Sequence, residues 1–397
     1  MNKIFSRIFL FFSILWGVGY PLPFRFPIYI LISPLIFLLS SGIKDKRLIN
    51  LLITFSGSFR DFICSKNLIF LIPIVTYTFL WETSNFLYLC SIFLFIFVMR
   101  FYLKYEDLGG EDWIYKTLIF SILVNAVSLL FVGSFSEYVP ASPGLYPEPS
   151  NLGFTLGPIL GLLTRRKKYT YVGLTLMLFF LIFFYSKSLL IGYVFALLLS
   201  GKFNSKIKSK HLSIAIIFFI SILILMKAFF MVRIMSLNEN EIDFGIYGSS
   251  LVWIYWLKNS IIYLQSNPLG LGPFGWLNNG AEMDIFIPEC NYNVICKYSG
   301  ELITSLNQRD MSNAVAFGIS TFGCLFPAYL YILLNRICKN TKAITENYNQ
   351  LDPISILLIS YICVYSFRWT GFTAGPLIGL LCLMPSGYSK IKLDKFD

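Results

Sequence analysis

Uninterrupted apolar runs such as "LIFLIPIVTYTFLW", "FLYLCSIFLFIFVM" and "LSIAIIFFISILILM" recur along this chain. They constrain the fold more than any other feature, because each is close to the length that crosses a hydrocarbon layer. In lipid only helices and closed barrels satisfy every backbone polar group. The runs are continuously apolar, whereas barrel strands alternate, so the pattern predicts helices and excludes a barrel. Charged residues make up 13% of the 397, against about a quarter in a soluble domain. The expected class is an all-α polytopic integral membrane protein, a single transmembrane domain over 1–397.

The net charge of +11 does not point to nucleic acid. The basic residues fall in short separate loops, not in the contiguous stripe of a nucleic-acid binder. Loops rich in Lys and Arg are expected on the cytoplasmic side. "KDKR" (44–47), "RRKK" (165–168), "KFNSKIKSK" (202–210), "RICKNTK" (336–342) and the tail "KIKLDK" are such loops. Between them the spans read as 8–20, 27–43, 67–81, 86–101, 117–134, 151–163, 169–185, 187–201, 211–231, 312–335, 353–367 and 372–387. That is about twelve, with both termini inside. Segment 48–66 is either an inside amphipathic stretch or a further short pair of spans. The loop 100–116 holds Arg100, Lys104 and Lys116 beside four acids and is read as inside, since acids contribute little to orientation. The first apolar run follows Lys3 and Arg7 and has no small-residue cleavage site before "YPLPFRFP", so it reads as a span, not a removable leader.

Every other turn then faces outward. One is the short loop 134–150 with "LYPEPS"; another is the single long loop, 232–311, between the ninth and tenth spans. The long loop carries Glu239, Glu241, Asp243, Glu282, Asp284, Glu289, Glu301 and Asp310. The expected working face is therefore extracytoplasmic. Cys290 and Cys296 lie in that loop and read equally as a disulfide or as two free thiols; the other six cysteines behave as small apolar residues.

Within the long loop, "SSLVWIYWLKNSIIYLQ" (249–265) reads as a helix at the interface or packed over the spans. It is expected to stop at "SNPLGLGPFGW" (266–276), where Pro268 and closely spaced glycines force a turn. That turn is either a plain helix stop or a backbone cradle for phosphate. It lacks the Gly-Lys-Ser/Thr ending of a nucleotide-binding loop.

Cations at the outer mouths of spans break the positive-inside pattern: Lys187, Lys227, Arg233, Arg309 and Arg368. Each alone can be a snorkelling side chain. Together they suit phosphate or pyrophosphate, for which the arginine fork donates two hydrogen bonds at once. The only histidine, His211, is placed in an inside loop, and no Cys/His cluster has metal-ligand spacing. Acid–base work outside would fall to a carboxylate. Glu148, between Pro147 and Pro149, is held on a stiffened turn. It reads equally as a base and as the cap of the helix that starts after it.

Four stretches in order carry a resemblance. "YPEPSNLG" resembles the Glu-Pro-Ser outer-loop motif of some Wzy-type O-antigen polymerases, within the O-antigen polymerase and ligase superfamily. "FFYSKSLLIGYVFALLL" resembles that family's span beginning with a Ser-Arg element, with Lys187 where Arg is usual. "NPLGLGPFGW" is similar to its Asn/His-Pro-Leu-x-Gly-x-Gly turn, and "MSNAVAFGISTFG" to the segment that re-enters the membrane after the long loop. The resemblance covers roughly 140–335 and the overall topology.

It implies a helical glycosyltransferase of the GT-C class in the bacterial inner membrane, with its active site facing the periplasm. The growing glycan would pass from undecaprenyl pyrophosphate to the non-reducing sugar of the next lipid-linked repeat. Glu148, Arg233 and Arg309 are the expected catalytic residues. Lys187, Arg368, Tyr146, Asn151, Asn313, Gly270 and Gly272 are expected to bind substrate. No metal or other cofactor is called for. The implied partners are the undecaprenyl-pyrophosphate-linked oligosaccharide, the bilayer and a chain-length regulator membrane protein. Two departures stand out. The ligases' His-Asn pair is matched by Ser312-Asn313, and the arginine usual in the loop helix has no counterpart near Ser249–Ser250. The rival readings are a flippase for the same lipid-linked unit and an O-antigen ligase. The flippase predicts similar halves and short loops.

Overall fold

The computed structural model describes residues 112–128, 149–184, 187–201, 209–235, 267–270, 314–341 and 351–367. Shorter pieces are described within 253–266, with Arg7, Leu10, Phe11 and Leu380. The expected spans 27–43, 67–81 and 86–101, the segment 48–66 and most of 372–387 lie outside the described residues.

Every element among the described residues is a helix, and none is a strand. We number them α1 (Asp112–Ser128), α2 (Pro149–Arg165), α3 (Thr170–Phe184), α4 (Lys187–Leu199), α5 (Ser209–Met235), α6 (Ala314–Phe322), α7 (Phe326–Thr341) and α8 (Pro353–Phe367). Short 3-10 turns lie at Lys167–Tyr169 and Gly323–Leu325. One stretch, Ser209–Phe229 within α5, is long and apolar enough to cross a membrane among the described residues. Leu152–Arg165, Ser188–Leu199, Gly323–Cys338 and Pro353–Ser366 are shorter apolar helices.

Helix α8 is the axis of the bundle. Residues 352–366 are all buried, against α2, α4, α6 and α7, as expected of a helix that is apolar all round. Its start is built from sequence. Asp352 Oδ1 accepts the backbone N–H of Ser355 at 3.0 Å and Oδ2 accepts its hydroxyl at 2.6 Å. Pro353 follows at the first helical position, where its missing N–H costs nothing.

Small residues bring α2 and α4 into close contact. A Cβ on Gly157 would lie 2.5 Å from the Leu189 carbonyl oxygen, one on Gly192 would lie 2.6 Å from Pro158 Cδ, and one on Gly161 would strike the Tyr193 carbonyl. The matched residues rise together along both helices, so α2 and α4 run parallel. This is the small-xxx-small packing that lets helix backbones approach.

Several of the buried polar side chains in these helices are satisfied within their own turns. Thr117, Ser121 and Asn125 donate in succession to the carbonyls of Trp113, Thr117 and Ser121 at 2.8, 2.9 and 2.9 Å. Ser320 and Ser366 bond back to Ala316 and Ile362 at 2.7 and 2.8 Å. Such i−4 bonds keep polar side chains buried without a long-range partner.

At one end of the bundle α1 starts beside the α2–α3 turn. Asp112 receives Lys116 Nζ at 2.8 Å, the Tyr169 hydroxyl at 3.1 Å and Lys168 Nζ at 3.6 Å. The start of α1 and the α2–α3 turn thus share an end of the described helices. Since α2 is about 25 Å long, its start at Pro149 lies at the opposite end. The end of α3 and the start of α4 lie there too.

The span read as 312–335 is not one continuous helix. It breaks at Gly323–Leu325 into α6 and α7. Gly323 has φ +56, which ends the α-helical run. Phe322 and Tyr329 stack across the break at 4.4 Å.

Candidate functional site

Two described members of the expected site, Asn151 and Lys187, lie toward the end of the bundle opposite Asp112. Helix α2 starts at Pro149, the residue after Glu148, with Asn151 in its first turn. The helix-start reading of "EPS" therefore holds, with proline at the position where it fits best. Lys187 opens α4. Gly157 faces the stretch Leu189–Tyr193, so at 1.5 Å per residue the backbone of Lys187 lies about 7 Å deeper than Pro149. Arg233 lies in the last turn of α5. Glu148, Tyr146, Arg309, Asn313, Arg368, Gly272, Cys290 and Cys296 lie outside the described residues. The first turn of α2 and the start of α4 are thus brought to one end.

The turn at 267–270 has a definite role. Gly270 donates its N–H to the Asn267 carbonyl at 2.9 Å, and its φ of 82 is left-handed. The Pro268 carbonyl accepts the N–H of Cys324 at 2.8 Å. A Cβ on Gly323 would strike the Pro268 carbonyl oxygen and lie 2.5 Å from Gly270 N. The long loop thus sends a turn back against the α6–α7 break, about 13 Å along from Ala314, and satisfies a backbone donor there. With its N–H committed and its backbone buried, Gly270 is a packing residue. Of the two readings of this turn, the helix stop is the one its described part follows, and the phosphate cradle loses Gly270 as a donor.

The residues before the turn are helical where described, at 253, 257, 260–262 and 264–266. Trp253 is fully buried, so this helix packs over its neighbours. Lys227 of α5 stands 4.2 Å over the Trp253 ring. A cation at that distance from an indole face contributes about 0.5–2 kcal/mol. Lys227 was singled out in the sequence as a cation at a span mouth; its ring partner lies in the loop, 26 positions on by the numbering, and hydropathy carries no sign of it.

Two further features carried no signal in the sequence. The Tyr361 hydroxyl of α8 donates to the Thr155 carbonyl of α2 at 2.8 Å, which ties the central helix to the helix that follows Glu148. The Thr155 and Ser360 hydroxyls on the same two helices, and the Trp253 indole nitrogen, are buried without a hydrogen-bond partner among the described residues. His211, expected in a loop, lies in the first turn of α5. No group of three or more potential metal ligands occurs among the described residues.

No family profile, characterised protein or solved structure matches this chain.

Proposed function

We propose that the chain is an O-antigen polymerase: a membrane-embedded glycosyltransferase of about twelve spans that works on lipid-linked repeat units at the outer face of the bacterial inner membrane. The membrane part of the reading is supported by α5. Phe218, Leu225, Met226 and Phe229 on it are well exposed. In water so large an uncovered apolar face would drive association; in lipid it is simply the rim.

The observation that carries the site is the parallel glycine contact of α2 and α4. It sets the start of the helix following Glu148 and the start of the helix opened by Lys187 at the same end of the bundle. Tyr361 lies six residues before the end of α8, and Thr155 six residues into α2. With the alternating topology expected from the charges, the end of α8 belongs level with Pro149, and Arg368 follows it in sequence. Arg233 closes α5, and Arg309 precedes α6.

In this reading the Glu148 carboxylate removes the proton of the acceptor sugar hydroxyl. That oxygen forms the new bond to the anomeric carbon of the donor. The anomeric carbon–oxygen bond to pyrophosphate breaks, and undecaprenyl pyrophosphate leaves with the electron pair. Arg233, Arg309, Lys187 and Arg368 hold the developing charge.

The test incubates purified protein with lipid-linked repeat units and separates the products by size. A ladder of lengthened lipid-linked chains is expected. Unchanged single repeats would overturn the reading. In cells, deletion should leave single repeats on the lipid A core; loss of all O-antigen from the core would instead favour the flippase or the ligase.

A further inference from the structure

At the other end of the bundle the turn between α2 and α3 carries Arg165, Arg166, Lys167 and Lys168, all exposed. The turn is braced. Arg166 N–H bonds to the Leu163 carbonyl at 3.1 Å, Tyr169 N–H to the Arg166 carbonyl at 2.7 Å, and the Thr170 hydroxyl to the same carbonyl at 3.1 Å. A Cβ on Gly173 would lie 2.6 Å from the Thr164 hydroxyl oxygen, so α3 folds hard against the end of α2. Tyr169 stacks on Tyr115 at 5.7 Å and donates to Asp112.

The cations of this corner fall into two sets. Lys168 and Lys116 are drawn to Asp112, whose carboxyl is held below its ordinary range first by the Lys116 hydrogen bond. Arg166 lies 5.0 Å over the Tyr115 ring. Among the described residues, Arg165 and Lys167 have no ion pair, hydrogen bond or ring partner. Asp112, the acid of this corner among the described residues, is already engaged by three donors. What remains is two cations without a partner among the described residues, exposed on a fixed turn at the foot of apolar helices and held there by the buried Tyr115–Tyr169 stack.

We propose that this corner is a binding site for an anionic phospholipid headgroup, with Arg165 and Lys167 as the phosphate-contacting residues and the Asp112–Tyr169–Lys168 brace as the element that fixes the turn. The inference rests on the membrane reading above but not on the polymerase activity. An arginine fork beside an ammonium fits a phosphodiester, and basic residues next to a membrane-facing helix are attracted to anionic lipid. A bound lipid would fix the α1–α2–α3 corner from below, at the far end of α2 from Glu148.

The test measures retention of lipid by native mass spectrometry, together with lipid-induced shifts in melting, for the full chain in neutral detergent. The probes are phosphatidylglycerol, phosphatidylcholine and inorganic phosphate. Phosphatidylglycerol should bind and raise the melting temperature, with phosphatidylcholine and phosphate inert. The Arg165→Gln/Lys167→Gln pair should bind phosphatidylglycerol roughly thirty-fold more weakly, since each basic residue near an anionic lipid surface contributes about a factor of five. The Arg165→Lys/Lys167→Arg pair should retain binding, and the lipid-free melting of both variants reports folding. Equal binding of the two lipids, or undiminished binding by the neutralised pair, would overturn the site. A response to inorganic phosphate equal to that of the lipid would overturn its assignment to lipid. A chain that stays with membranes until detergent is added, yet shows no lipid preference, sinks this proposal alone; a chain released by salt or alkali sinks the membrane reading with it.

Discussion

Helices α5 and α8 are both strongly apolar, and the fold treats them in opposite ways. Residues 352–366, through α8, are buried. Along α5, Leu225 is 67% exposed and Phe229 74%. A soluble protein would bury both. A bundle in lipid needs only one such helix at its centre, because the hydrocarbon tails cover the other as well as a neighbouring helix would. Hydropathy therefore identifies both helices and cannot tell the axis from the rim. What separates them is fixed shape: α8 is capped by Asp352, bonded to α2 through Tyr361 and wedged by α6 and α7.

The sharpest way to break this contrast is a matched pair of truncations. Leu357→Ala, at a fully buried position of α8, should cost about 2–5 kcal/mol. Leu225→Ala on α5 should cost under about 0.5 kcal/mol. Denaturation in mild detergent measures both, and equal costs would remove the distinction between axis and rim. Next in size is Gly323→Ala. Its left-handed backbone and the clash with Pro268 should cost about 1–3 kcal/mol, while Cys324→Ala should cost little, because the Cys324 side chain is exposed and it is its backbone N–H that meets Pro268. If the two behaved alike, the loop turn would not be what holds the α6–α7 break against α8.

Tyr361→Phe should cost about 0.5–1.5 kcal/mol, the net value of one buried hydrogen bond, and a smaller fall in melting temperature should record it. The smallest effect lies at the far corner. Asp112 has its folded value lowered below the ordinary 3.8, first by the Lys116 hydrogen bond. A lowered carboxylate contributes stability above the unfolded value and loses it as pH falls through the folded one. Wild type should lose slightly more than Asp112→Asn when melting is compared at pH 7 and below pH 3; parallel curves would show that the exposed pair contributes nothing.

How far the sequence was readable follows from where each contact partner lies. The bounds 353–367 agree with α8 as it folds, and "EPS" marked the start of α2, because a cap and a proline act on their own first turn. Charge placed loops 100–116 and 165–168 on one side, and in the structure Asp112 and Lys168 lie 3.6 Å apart. The break within 312–335 was not readable. It is satisfied by Pro268, 56 positions earlier by the numbering, and a hydropathy window registers no gap when a distant carbonyl takes the freed donor. The same holds for Lys227 on Trp253 and for Tyr361 on Thr155. Of the candidate site, the sequence supplied residue types and their order. The structure adds the common end of α2 and α4 and removes Gly270 from the phosphate donors. Glu148, Arg309 and Arg368 lie outside the described residues, so their roles still rest on residue chemistry.

The central claim is that the two ends of α2 lie on opposite sides of a membrane, with the Glu148 end outward. Side-specific labelling by a membrane-impermeant thiol reagent tests it directly in spheroplasts, using Glu148→Cys and Lys167→Cys with the modified peptide identified by mass. Labelling of position 148 in intact spheroplasts, and of 167 only after lysis, is the expected result. Labelling of 167 in intact spheroplasts, or of both positions from the same side, would contradict it.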